Sequence, residues 1–234
     1  KTWLKEIGET GNRSKPNFAT QGGDEVLKTL SQDKGDIQAS PAAQNKPSSS
    51  HLSDLPRDYV CITDKTTFQV WLQKIEQASL TCIDTETTSL DAMQAELVGI
   101  SFSVKLGEAC YIPVAHRTGE DQLERAWVLA QLKPWLENPQ AKKVGQNLKY
   151  DIHVLENYQI AMQGVTHDTL LESYVLESHL SHGMDSLAER HLGIKTIQYE
   201  EVCGKGAHQI GFGESQNARL CDREISVHRI SKRS

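Results

Sequence analysis

The 234-residue sequence predicts an α/β domain, a mixed sheet flanked by helices. Three observations lead there. Consecutive apolar, β-branched runs lie between residues 80 and 114 and are joined by short turns, the pattern of a strand meander. From Asp121 onward, helical spacings alternate with a short strand pattern. The composition, 38% hydrophobic, suffices for one good-sized domain plus extensions.

Ordered structure is expected to begin near Asp58, where Tyr59-Val60-Cys61-Ile62 reads as a strand. Asp64 then stands where a helix N-cap belongs, ahead of Phe68, Trp71, Leu72 and Ile75, which share one helical face. The next run, Leu80 to Leu90, starts as a buried strand and ends in a Thr/Ser turn. Leu97–Val104 and Ala109–Val114 follow as strands around a turn at Gly107. A helix is expected over about Asp121–Leu136, then a strand at Lys143-Val144-Gly145 and a helix from Asn147 to about Tyr158. Asp168 reads as the cap of a helix holding Leu171, Val175 and Leu176, and Asp185 as the cap of a short helix reaching Leu192.

Residues 1–56 hold four of the seven prolines, and Ser31–Ser53 has no aromatic residue, so this part is expected to be a disordered linker. The domain proper is placed at 57–212 and a divergent C-terminal tail at 213–234. A first residue of Lys1 rather than Met suggests a fragment or processed product. No apolar run reaches the length of a membrane span and no signal-peptide pattern opens the chain, so a cytoplasmic location without membrane association is expected. Cys61, Cys82 and Cys110 lie in strand-like runs and read as small buried hydrophobes. His179 and His182 lack the further ligands a zinc site needs. The formal net charge is −6, and residues 51–212 hold 22 acidic against 13 basic groups, which argues against a general electrostatic grip on nucleic acid.

The candidate chemistry sits at Asp84 and Glu86. Two apart on a strand, they project from one face, and their repulsion and lost hydration call for a compensating cation. Mg²⁺ or Mn²⁺ would suit carboxylate oxygens and leave positions open for phosphate. The alternative is a strand end whose acids face water. Asp151 is the second candidate. It lies four residues after Asn147, near a helix start whose dipole favours an anion, and it could equally be an ordinary first-turn acid behind an Asn147 cap.

Taken together, Asp84-Thr85-Glu86-Thr87, Ser89-Leu90-Asp91, Leu97-Val98-Gly99, Tyr111 to His116, Lys143 to Asp151, Asp168-Thr169 with Leu171 to Tyr174, and Met184 to Arg190 resemble the 3′–5′ exonuclease (proofreading) domains of family A DNA polymerases. The resemblance covers roughly residues 57–212. It implies an RNase H-like fold of the DEDD exonuclease superfamily, two divalent cations (Mg²⁺ or Mn²⁺), and hydrolysis at the 3′ end of single-stranded DNA by a monomer. It further implies that Asp84 bridges the metals, Glu86 binds the metal holding the attacking water, and Asp151 serves the other. Leu90 and Phe212 match apolar residues that pack on the terminal base, and Asn147 and Tyr150 complete the second motif. His116 and Arg190 also match, and read first as hydrogen-bonding or structural groups. An RNase D-like RNA-processing enzyme shares the chemistry, but Tyr111–His116 and Met184–Arg190 are worded like the polymerase domain.

The resemblance stops before the family's third motif, Tyr-x-x-x-Asp. No tyrosine follows Tyr199, and four residues before Asp222 stands Ala218. Truncation or a frame change would produce such a tail, and impaired activity is expected, down to an inactive exonuclease-like DNA-binding module.

Overall fold

A computed structural model describes residues 58–206 and 209–215; the expected linker and most of the expected tail lie outside the described residues. Six strands form one mixed sheet: β1 (Asp58–Cys61), β2 (Thr81–Thr87), β3 (Leu97–Lys105), β4 (Glu108–Pro113), β5 (Lys143–Gly145) and β6 (Val165–Asp168), in the order β1-β4-β3-β2-β5-β6. β2, β3 and β4 are the expected antiparallel meander, while β1 joins β4 and β5 joins β2 in parallel, with β6 parallel to β5 at the far edge. The helices are α1 (Lys65–Gln77), α2 (Arg125–Leu136), α3 (Leu148–Glu156), α4 (Thr169–Leu176), α5 (Met184–Leu187) and α6 (Tyr199–Cys203).

The register assigns each face of the sheet. On one face Ile83, Phe102 and Cys110 stand in a row beside Thr85, Ile100 and Ile112. These apolar side chains enter the main core with Phe68, Trp71, Leu72 and Ile75 of α1, Leu132 and Trp135 of α2 and Val154 and Leu155 of α3. On the other face run Asp84–Ser101–Tyr111 and Glu86–Gly99–Pro113. A smaller cluster of Tyr111, Ala109, Val98, Val202, Cys203 and Phe212 covers part of that face. A bulge at Glu86/Thr87 reverses the alternation, which sends Leu97 into the main core and Val98 into the smaller cluster.

Asp64 caps α1 as expected, its Oδ1 accepting from the N–H groups of Thr66 and Thr67 at 2.9 Å each. Lys143, fully buried on β5, donates from its amine to the Ala141 carbonyl at 2.8 Å and stands 4.2 Å from the Trp135 ring centroid; burial lowers its pKa to about 8.

Three expectations need correction, and a fourth element, α4, is the expected Asp168-capped helix with an unusual burial. α2 starts at Arg125, not near Asp121. Asp185 lies inside α5, where Gly183 holds the cap position, and its Oδ1 accepts from the Thr196 hydroxyl. The single helix expected to reach Leu192 is α5 followed by a π-helical turn, Ala188–Leu192. α4 buries its polar side, Thr169 and Ser173, and leaves Leu171, Val175 and Leu176 exposed. The Ser173 hydroxyl donates to the Leu170 carbonyl at 2.7 Å and shares a hydrogen bond with His182 Nδ1, which turns that side inward. Arg190 is structural, as expected, with its Nε 2.8 Å from Glu177 Oε2.

Candidate active site

β2 outruns β5. The two pair only at Thr81 and Cys82, so beyond Cys82 the β2 edge on that side has no strand partner. Close approach makes room for the change of direction: a Cβ at Gly145 would lie 2.7 Å from the Ile83 carbonyl oxygen. The chain turns at Asn147, which holds a left-handed conformation (φ 61°) that Asn adopts more readily than most residues, and α3 begins. The first turn of α3 is thereby laid beside the open edge.

Asp151, 2% exposed, uses that edge. Its Oδ1 accepts from the Thr85 N–H at 2.9 Å and from the Thr85 hydroxyl at 2.6 Å. Thr85 lies between Asp84 and Glu86, so Asp151 meets the same strand segment that carries the half-buried acidic pair. Burial raises the Asp151 pKa to about 7; the two Thr85 bonds oppose the shift and the charge of Asp168 adds to it.

Tyr150 binds the turn after β2. Its hydroxyl donates to the Ser89 carbonyl and shares a hydrogen bond with Thr87. Burial raises its pKa, and the charges of Asp151, Glu86 and Asp84 raise it further. The bonds of Asp151 to Thr85 and of Tyr150 to Thr87 and Ser89 thus lay the first turn of α3 along the strand segment that carries Asp84 and Glu86.

The other expected residues divide. Leu90 is 98% exposed on the same turn, whereas Phe212 is 5% exposed and packed in the smaller cluster. Asn147 occupies the N-cap position of α3, but its side chain makes no capping bond. Asp168 supplies that bond instead: its oxygens accept from the N–H groups of Asn147 at 3.1 Å and Leu148 at 2.9 Å. The same carboxylate caps α4 through the N–H groups of Leu170 and Leu171, the role expected for it. Thr85 and the second duty of Asp168 had no signal in sequence, since their partners lie 66 and about 20 residues away.

The donor set suits a hard divalent cation: three carboxylates, one of them nearly out of solvent, stand on one strand segment and on the helix turn bonded to it. Among the described residues no three His, Cys, Asp or Glu side chains converge at ligating distance, and Asp151 Oδ1 is turned to Thr85. The fit is one of chemistry and charge.

Solved structures share this mixed sheet flanked by helices. Brucella melitensis NrnC superposes with a TM-score of 0.52 at 17% identity, covering 74% of this chain and 77% of that one. Escherichia coli RNase D, described as an exoribonuclease involved in structured RNA processing, gives 0.50 at 15% identity, covering 74% and 41%. The family model for the 3′–5′ exonuclease of family A DNA polymerases matches residues 59–219, and the chain belongs to that family. DNA polymerase I of Pseudomonas aeruginosa is 52% identical over 162 residues, which is 67% of this chain and 18% of that protein. The chain spans about a fifth of the length of the curated relatives it matches.

Proposed function

We propose that the chain hydrolyses the 3′-terminal nucleotide of single-stranded DNA, with Asp84, Glu86 and Asp151 holding two divalent cations, Mg²⁺ or Mn²⁺. The observation that carries this reading is that Asp151 is hydrogen-bonded to Thr85, the residue between Asp84 and Glu86, in a chain of exonuclease family. When bound, the cations would acidify water and neutralise charge on the attacking and leaving oxygens. Water adds to the terminal phosphorus, the P–O3′ bond breaks, and the 3′ oxygen takes up a proton. The products are a nucleoside 5′-monophosphate and a shortened strand ending in a 3′ hydroxyl.

The protein's own residues orient the parts. The Thr85 hydroxyl and N–H hold Asp151 against β2. Tyr150 fixes the turn that presents Leu90, whose exposed side chain is available to an unpaired base; contact of this kind accepts any base. Phe212 would serve the base from the other side once turned out of its cluster, and Asn147 would lie beside the strand being cut. In a longer protein with a polymerase domain the reaction would be proofreading, and a monomer in the cytoplasm suits it. Among the described residues no helix is long and apolar enough to cross a membrane.

A second reading, an exonuclease-like module that binds DNA ends without cutting them, is favoured by one observation: residues 213–234 contain no Tyr-x-x-x-Asp. A site short of one ligand and of the tyrosine that orients water should lose at least about a thousandfold in rate, since misplacement by an ångström alone costs on the order of a hundredfold. The test follows shortening of a 5′-labelled oligonucleotide in Mn²⁺. The 234-residue chain is expected to act at least about a thousandfold more slowly than a homologous domain with the motif, and a graft of the Tyr-x-x-x-Asp helix after Phe212 should restore cleavage. Robust digestion by the ungrafted chain, lost on Asp84→Ala, would show that another residue has replaced the motif. A graft that stays inert would remove the hydrolytic reading.

A further inference from the structure

Two exposed cations flank the acidic strand at the end of the sheet where Glu86 stands. β2 and β4 are each antiparallel to β3 and so run the same way, and β5 pairs with β2 in parallel. The segments that leave β4 and β5 therefore emerge at the end of the sheet to which β2 brings Glu86. In the strand order, β4 lies two places to one side of β2, and β5 is its neighbour on the other. Arg117 follows β4, and Lys149 is the second residue of α3, after β5. The acidic strand is bracketed by one cation on each side. Three strand spacings, about 15 Å, separate the strands that lead to them.

Backbone contacts fix both positions. The Arg117 N–H donates to the Gly213 carbonyl at 2.6 Å, and the Ala115 N–H to the Val98 carbonyl at 3.0 Å. Val98 precedes Gly99, the cross-strand partner of Glu86, so the Arg117 segment is tied to the strand beside the acids. Lys149 lies between buried Leu148 and Tyr150, whose hydroxyl holds the turn after β2. Several other cations are spent on the fold: Lys74 and Lys105 pair with Glu108, Arg125 reaches the Leu97 carbonyl and Arg190 pairs with Glu177. The side chains of Arg117 and Lys149 are exposed and have no such partner among the described residues. Lys149 does not serve its helix either, since a cation in the first turn opposes the backbone dipole.

We propose that Arg117 and Lys149 bind backbone phosphates of the single strand on the two sides of the acidic centre, and so lay the strand across Asp84, Glu86 and Asp151. A body this acidic repels a polyanion, and two unspent cations supply attraction where the strand has to come. The guanidinium can hold two phosphate oxygens at once, and the ammonium acts as a point charge. Neither contact reads a base, which suits an enzyme that removes any terminal nucleotide. The inference rests on the reading of the acidic centre as the place where DNA is cut.

The experiment measures binding of the 234-residue chain to a 5′-fluorescein oligothymidylate with a phosphorothioate 3′ end. Anisotropy is followed in Mn²⁺ over a series of KCl concentrations. Each phosphate contact on a single strand adds about 0.7 to the slope of log affinity against log salt. Arg117→Ala and Lys149→Ala are each expected to lower the slope by about 0.7, and the double variant by about 1.4. Arg117→Lys should keep it, and a merely structural role would not move it. Lys142→Ala is the control. Lys142 is also exposed and without a side-chain partner among the described residues, but its carbonyl accepts from the Thr81 N–H where β2 starts, at the opposite end of the sheet. Its loss should leave the slope unchanged. An unchanged slope in Arg117→Ala or in Lys149→Ala, or an equal fall in Lys142→Ala, would overturn the proposal. Cleavage is not read, so a graft that stays inert would remove the hydrolytic reading and leave these two contacts standing. A wild-type chain that binds no oligonucleotide would overturn both.

Discussion

The two faces of the sheet share every strand and obey different rules. The face toward α1, α2 and α3 is mostly apolar from β2 to β4, the exceptions being Thr85 and, at the end of β4, Glu108, which is ion-paired with Lys74 of α1, and helices cover it. The opposite face carries Asp84, Glu86, Ser101, Ser103 and Gly99, with Tyr111 as its one large buried side chain on these strands. Because side chains alternate along a strand, one set of residues supplies the free energy of folding and the next set along is released for chemistry. The apolar face tolerates the strain of gathering like charges because its burial does not depend on them.

Four substitutions test this division. The largest effect should come from Phe102→Ala. It empties a fully buried aromatic site that packs edge-to-face on Trp135 at 5.8 Å, and should cost about 3–5 kcal/mol in a urea titration. Any stabilisation by Mg²⁺ should survive in this variant. Next comes Gly99→Ala on the acidic face, whose Cβ must displace the buried Tyr111 hydroxyl, at about 1–3 kcal/mol. Combining it with Tyr111→Leu should reduce the penalty, and an equal penalty in both backgrounds would break the steric account. Asp84→Ala should leave metal-free stability unchanged or raised, because it removes a repelling charge. It should also abolish the increment from Mg²⁺ or Mn²⁺, about 1.4 kcal/mol at ten times the Kd. Metal stabilisation that persists in Asp84→Ala would mean the three acids are not one site. The smallest effect, about 1 kcal/mol, is expected for Asp64→Ala, which uncaps α1 on the far face and should not alter the metal response.

What the sequence made legible follows the range of the interactions. The face of α1 was read residue by residue, because Phe68, Trp71, Leu72 and Ile75 repeat at helical spacing behind a cap that acts within three residues. The meander was legible because its strands alternate strongly and follow one another. β6 was missed: Val165-Thr166-His167 is exposed, short and without an apolar pattern, and only its pairing with β5 makes it a strand. Asp84 and Glu86 announced a shared face through local geometry. Asp151 announced nothing about Thr85, and Asp168 gave no sign of reaching back to α3, since those bonds depend on where β5 stops. Asn147 was read for its capping side chain, whereas its backbone tolerance of positive φ is what the turn uses.

The open edge of β2 has one more consequence. An unpaired strand edge in the middle of a sheet is a template for another strand, and a second molecule could add to it and start aggregation. Asp151 plugs that template by taking up the Thr85 N–H with a side chain that cannot propagate a ladder. The residue a biochemist would remove first to make an inactive control is thus also a guard against self-association. Asp151→Ala should scatter more light on heating than Asp84→Ala. Asp151→Asn, whose amide oxygen can still accept from Thr85, is the control that leaves the plug in place.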